Sequence, residues 1–264
     1  MIKAVFFDMD GVLYDSMPNH VQSWCESLSE WGLKAEPEDI YLLEGRTGAA
    51  TVDIFVNLNW GRDATLEEKE LIYAKKARRF VELSSHIKPI PNALDVLEKV
   101  RQLGLKRVVV TGSGQPTLFN NLDAHFPGFF NTELIVTAFD VKYGKPHPEP
   151  YLMGLKKANV KPEEAIVIEN APLGIESAVA AGIYTIAVNT GPLPDEVLLK
   201  AGASELFPSM KALADNFLDD IHQIETRVNI RPCNTENFYY LHTHIKPDDL
   251  EEPNPTLYIG KLKK

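Results

Sequence analysis

Ala4-Val-Phe-Phe-Asp8-Met-Asp10-Gly11-Val-Leu-Tyr-Asp-Ser16 is the stretch whose reading decides the fold. The apolar run Val5 to Phe7 has the length of a buried strand, and it delivers two carboxylates, Asp8 and Asp10, just before Gly11, where a strand would turn. In open α/β sheets ligands sit at the carboxyl ends of strands, so two acids there suit a hard cation such as Mg2+ beside a phosphate. Taken alone, Asp-x-Asp-Gly reads equally well as a solvated turn or an incomplete calcium loop. The order of the later pieces decides between them.

Downstream, Pro18 to Trp31 has the period of a helix, with Pro18 in its first turn, Val21, Trp24, Leu28 and Trp31 on one face, and Gly32 at its end. Helical patterns follow at 37–43, 49–58 and 66–83 with no convincing strand between them. A run of helices placed directly after the first strand predicts an inserted helical cap over residues 15–86. Ile90-Pro91 restarts the main domain with a helix over 93–103. Strands are expected at 108–110, 134–136, 165–168 and 184–188, with crossover helices at 150–158 and 173–181. This alternation predicts right-handed βαβ units and a Rossmann-like parallel sheet, an α/β core spanning 1–14 and 87–227.

Residues 228–264 differ in character: they hold four prolines and an acidic run at Asp248 to Glu252. In their one strand-like piece, Phe238 to His244, His242 and His244 would share a face. With no third ligand nearby, an appended arm is the better reading than a metal site.

The 264 residues suffice for one well-buried core with an insert, and the net charge of -10 excludes a broad nucleic-acid or anionic-membrane surface. An anionic substrate must then be met by local cations. Two cysteines, Cys25 and Cys233, give no disulfide framework. Met1 runs straight into the first strand with no signal peptide or long apolar span, so a cytoplasmic monomer acting on a small phosphorylated substrate is expected.

Three more stretches follow in order: Thr111-Gly112-Ser113-Gly114 after a buried strand, Lys145 in Gly-Lys-Pro-His-Pro, and Glu169-Asn170 at the end of another strand. Hydroxyls and backbone N–H groups in the first can cradle a phosphate, and the flanking Gly144 and Pro146 fix the lysine. Together with Asp-Met-Asp-Gly-Val-Leu-Tyr-Asp-Ser, the set resembles the haloacid dehalogenase superfamily, in its β-phosphoglucomutase-like branch, over roughly residues 1 to 225.

The resemblance implies a nucleophile at Asp8, a general acid and base at Asp10, phosphate binding at Thr111 with Gly112 and Ser113, and charge balance from Lys145. It implies Mg2+ held by Asp8, Asp10 and the Glu169-Asn170 pair. Asn170 departs from the family's usual acid there and removes one negative charge; Glu44, in Glu-Gly-Arg-Thr-Gly of the cap, is the candidate replacement. Arg46 beside it resembles a phosphate-gripping arginine. His20 and Trp24 repeat the spacing Asp-Ser-x-x-x-His-x-x-x-Trp of β-phosphoglucomutase-like caps, where His20 would orient Asp10, and Lys76 resembles the cap lysine of that group.

Glu-Gly-Arg-Thr-Gly with Ile-Glu-Asn-Ala-Pro-Leu-Gly resembles the subgroup that hydrolyses inorganic pyrophosphate, and this is the activity expected first. A β-phosphoglucomutase or hexose-phosphate phosphatase is the alternative. A non-catalytic phosphate-binding protein is the third reading, and the intact Asp8, Asp10, Thr111 and Lys145 speak against it.

Overall fold

A computed structural model describes residues 1–85, 87–114 and 116–217, with the side chains of 116–120 and 217 excepted. Its sheet is built on β1 (Ala4–Phe7), whose four residues are fully buried. Alternate residues feed two different cores, as the two-residue period of a strand requires. Val5 and Phe7 join Val96, Leu97, Phe126 and Leu213 on one face, while Ala4 and Phe6 join Tyr151, Leu155 and Ala178 on the other.

Around β1 stand β2 (Lys106–Val110), β3 (Ile135–Val136), β4 (Ala165–Glu169), β5 (Tyr184–Val188) and β6 (Glu205–Phe207), all parallel in the order β3-β2-β1-β4-β5-β6. The register sets Phe7 opposite Val109 on one side and Ile168 on the other. The carboxyl ends of the three central strands therefore lie level. Asp8, Thr111 and Glu169 end up on one edge.

Between β1 and β2 the chain forms α1 (Met17–Glu30), α2 (Pro37–Leu42), α3 (Gly48–Trp60) and α4 (Leu66–Leu83). These four helices share their own apolar cluster, which includes Trp24, Leu28, Ile40, Val52, Phe55 and Ile72, and they form the cap. Local chemistry sets their ends: Gly61 takes a left-handed conformation after α3, and Thr65 and Glu68 exchange side-chain and backbone bonds as a capping box on α4. The remaining helices are α5 (Ala93–Gln102), α6 (Pro116–His125), α7 (Glu149–Ala158), α8 (Pro172–Ala180), α9 (Asp195–Lys200) and α10 (Met210–Phe217).

Several elements differ from the sequence expectation, each for a local reason. β2 begins two residues early because its polar start is anchored: Lys106 Nζ donates to Ala158 O at 2.6 Å and Arg107 Nε to Phe129 O at 2.7 Å. Leu134 ends a 3-10 turn instead of starting β3, since the Asn131 side chain accepts the Glu133 N–H. α6, α9, β6 and α10 are additional; β6 is a half-buried edge strand without an alternating pattern. The stretch with His242 and His244 lies outside the described residues.

Gly154 of α7 shows how tightly the second core closes. A methyl carbon built on it would lie 2.8 Å from the Phe6 ring and 3.3 Å from Val110. Gly154→Val is expected to lower the urea midpoint with an unchanged slope, by about 1–3 kcal/mol of overpacking.

Candidate active site

The level strand ends bring Asp8, Thr111 and Glu169 together, and the loops that follow add Asp10, Lys145 and Asn170. All six are buried. Gly11 lets the first turn close: its φ of +79° is open to glycine, and a methyl carbon there would come within 2.6 Å of Asn170 Cγ.

Lys145 is the hub. Its Nζ donates to Asp8 Oδ1 at 2.6 Å, to Glu169 Oε1 at 2.6 Å and to Val110 O at 3.1 Å. Glu169 is held on every side, because Oε1 also accepts from Tyr151 OH at 2.9 Å and Oε2 accepts the backbone N–H groups of Asn170 and Ala171. In this arrangement Glu169 fixes Lys145. Burial opposes the Lys145 charge, yet Asp8 and Glu169 hold its pKa well above the ordinary value. Burial pushes Asp8 up to about 8, reinforced by Glu169 and Asp10 and opposed by Lys145.

Asp10 sits in the opposite situation. Ser16 Oγ donates to Oδ1 at 2.5 Å and His20 Nε2 lies 3.1 Å from the same oxygen. Lys76 Nζ reaches His20 Nδ1 at 2.7 Å. An ammonium can only donate, so Nδ1 accepts and the proton of the neutral ring sits on Nε2, directed at Asp10. Burial and the neighbouring Lys76 both lower the His20 pKa, in keeping with a neutral ring. Burial alone would raise Asp10, but His20 and Ser16 bring it below the ordinary value. The basic run on α4 is thus mixed in character: Lys76 is buried, with its pKa brought down by burial to about 7, while Arg79 and Lys75 pair with Glu26 and Glu30 on the surface.

The cap contributes Glu44 and Arg46, both buried. Asn170 Nδ2 donates to Glu44 Oε1 at 3.0 Å, so the cap carboxylate meets the core amide directly. Burial, then the charge of Asp8, raises the Glu44 pKa well above the ordinary value. Arg46 lies electrostatically close to Glu176 of α8, whose carboxyl burial lifts to about 7 against the arginine's pull.

A cavity of ≈ 60 Å³ remains under the cap, lined by Asp8, Asp10, Glu44, Arg46, Lys76 and Thr111 among others. His20, Gly112 and Ser113 also border it, and Thr111 Oγ1 accepts the Ser113 N–H at 2.9 Å. Lys145, Glu169 and Asn170 stand behind this wall. Sequence reasoning missed Tyr151 as part of the Lys145 anchor; its only signal was a place on the buried face of a helix beginning soon after that lysine.

The donor set fits a hard divalent cation. Asn170 Oδ1 is a buried oxygen with no hydrogen-bond partner among the described residues, and burial raises the pKa values of the nearby Asp8 and Glu44 carboxyls. Among the described residues no three His, Cys, Asp or Glu side chains converge as a metal-ligand group. The oxygens that could hold such an ion are those of Asp8, Asp10 and the Asn170 amide. Glu44 stands beside it.

A family model described as haloacid dehalogenase-like hydrolase matches residues 2–182. A solved structure from Bacteroides vulgatus, described as "putative beta-phosphoglucomutase", is 52% identical with a TM-score of 0.80, over 86% of this chain and 90% of that one. The phosphorylated carbohydrates phosphatase of Thermotoga maritima is 32% identical over 208 residues, 78% of this chain and 94% of that protein. Hexitol phosphatase A of Escherichia coli is 30% identical over 187 residues, 71% of this chain and 83% of that protein.

Two outcomes follow from this electrostatic arrangement. Tyr151→Phe removes a hydrogen bond to a buried carboxylate and is expected to cost about 1.5–3 kcal/mol in denaturant unfolding. A carboxyl whose folded pKa is raised binds its proton more tightly folded than unfolded, so the metal-free protein should lose stability as pH rises toward the Asp8 value of about 8. Mg2+ needs the deprotonated carboxylate, so its stabilising effect on Tm should grow over the same window, from about pH 5 to about pH 8. Asp10, with its lowered pKa, acts in the opposite sense and only in acid.

Proposed function

The chain belongs to the haloacid dehalogenase-like hydrolase family, and on that premise we propose that it is a Mg2+-dependent phosphohydrolase whose substrate is inorganic pyrophosphate. One observation carries the choice of substrate: the cap carboxylate Glu44 is buried against Asn170, so the space over Asp8 and Asp10 is walled by charged groups from both cap and core, a lining that suits a compact, highly charged anion. Arg46 and Lys76 line it and offer cations to a substrate that is charged at both ends.

In this reading Asp8 attacks one phosphorus while the bond from that phosphorus to the bridging oxygen breaks. Lys145 holds Asp8 Oδ1 and so orients the attack. Asp10, held as a carboxylate by Ser16 and His20 in the free protein, takes up the proton that the bound hydrogen pyrophosphate carries and returns it to the departing phosphate. Water then attacks the phosphorus of the aspartyl-phosphate, Asp10 takes its proton, and Asp8 is released with inorganic phosphate. Thr111, Gly112 and Ser113 cradle the transferred group, and Arg46 steadies the departing one. Mg2+ held by oxygens of Asp8, Asp10 and Asn170 supplies charge neutralisation of the phosphoryl oxygens.

The relatives named for phosphorylated carbohydrates favour a second reading, in which the same Asp8 and Asp10 act on a hexose phosphate. Mg2+-dependent phosphate release from pyrophosphate, run beside a panel of sugar phosphates, decides between them. Pyrophosphate should lead the panel. Asp8→Asn should lower turnover by at least about a thousandfold without unfolding the protein. Glu44→Ala should lower it by about 10–100-fold through the weakened cation site. A preferred sugar phosphate that is indifferent to Glu44→Ala would establish the second reading.

A further inference from the structure

Two core glycines each stand one residue from a candidate catalytic side chain, Gly112 after Thr111 and Gly144 before Lys145. Both touch the cap. A methyl carbon built on Gly112 would overlap the carbonyl oxygen of Gly45 and lie 3.0 Å from its carbon. One built on Gly144 would lie 2.8 Å from Thr47 Cγ2 and 3.3 Å from Thr47 N. From the other side, a methyl on Gly45 would meet Lys145 Cδ at 2.9 Å. Three glycines thus face each other where the cap loop rests on the core.

The reasons for glycine at these positions differ. Gly45 has a φ of +91°, which the loop itself requires. Gly112 and Gly144 are not among the positive-φ glycines, so their backbones accept alanine without strain. At both positions the three nearest atoms to an added methyl carbon belong to the cap. At Gly112 the obstacle is a backbone carbonyl, which cannot rotate aside as a side chain can. The loop must lift, and Thr47 caps α3 through its Oγ1, so the displacement passes into the cap helices.

We propose that Gly112 and Gly144 are specificity-determining positions that act as a gauge for cap closure: their missing side chains let residues 45–47 settle directly on the phosphate cradle, which excludes larger phosphate esters. Glu44 and Arg46 flank Gly45 on that loop. Raising it by the radius of a methyl group stretches the 3.0 Å bond between Glu44 and Asn170 and withdraws Arg46 from the cavity. The inference deepens the pyrophosphate reading and, for its choice of excluded substrates, rests on it.

The test uses the full chain with Gly112→Ala, Gly144→Ala and the pair Gly144→Ala with Thr47→Ser. The serine removes the obstructing Cγ2 and keeps the hydroxyl that caps α3. Rates on pyrophosphate, glucose 6-phosphate and p-nitrophenyl phosphate are measured beside amide hydrogen exchange in residues 43–48. Gly144→Ala should lower kcat/KM on pyrophosphate by about a hundredfold, the scale of an ångström misplacement, while the two esters hold or rise; Gly112→Ala, which also disturbs the cradle, should lower all three rates but pyrophosphate the most. Exchange in 43–48 should quicken with β1, β2 and β4 unchanged, and Thr47→Ser should restore both readouts to Gly144→Ala.

Equal losses on all three substrates with unchanged exchange would overturn the proposal and leave the glycines as parts of the phosphate cradle alone. If the wild type ignores pyrophosphate, the functional reading fails by itself. The exchange data and the Thr47→Ser rescue then still judge the gauge. Should Gly112→Ala not fold, the Gly144 pair gives the same decision.

Discussion

A buried ammonium between two carboxylates holds this site together. Four acids, Asp8, Asp10, Glu44 and Glu169, lie within the protein interior at the ends of three parallel strands and under the cap. Buried charge is costly unless it is paired and hydrogen-bonded, so each acid must be accounted for. Glu169 is satisfied outright by Lys145, Tyr151 and two backbone N–H groups. Asp10 is satisfied by Ser16 and the Nε2–H of His20. Asp8 shares Lys145, and among the described residues Glu44 has the Asn170 amide as its hydrogen-bond partner. Burial therefore weighs most on those two, one from the core and one from the cap, and disfavours their charged forms. Positive charge placed there relieves both.

The same distribution explains why cap and core act as one unit. Lys76 on α4 polarises His20 on α1, which presents its proton to Asp10 on the core loop. Phe80 stacks on the His20 ring with centroids 4.0 Å apart, and the Lys76 ammonium lies 4.8 Å from the same phenyl ring. The cap thus holds a proton-directing pair against Asp10 and a carboxylate against Asn170.

Much of this was legible in the sequence because strand ends announce themselves. An apolar run that stops at Asp8, another at Thr111 and a third at Glu169 fix the sheet and its active edge together. The helices of the cap were legible from their 3.6-residue period, and the first also from Pro18 and Gly32 at its ends. What stayed hidden depends on distance across the fold. Lys76 is picked out by its resemblance to a cap lysine, but its burial is not, because that depends on packing against Trp24 and Phe80. The hydrogen bond from Tyr151 to Glu169 likewise joins residues 18 positions apart. β6 and α10 carry too few residues with too little pattern to stand out locally, and they form because β5 and α5 offer a surface to cover.

In the proposed reaction the cation rests on core oxygens and the cap carboxylate Glu44 closes over it against Asn170. A crystal structure with Mn2+ and the non-hydrolysable analogue imidodiphosphate is the decisive measurement, because the metal is identified by its anomalous signal. One Mn2+ is expected with oxygens of Asp8, Asp10 and Asn170 in its shell, and the analogue enclosed beneath Glu44 and Arg46. Mn2+ and analogue bound with Asn170 off the metal and Glu44 turned to solvent would contradict that arrangement.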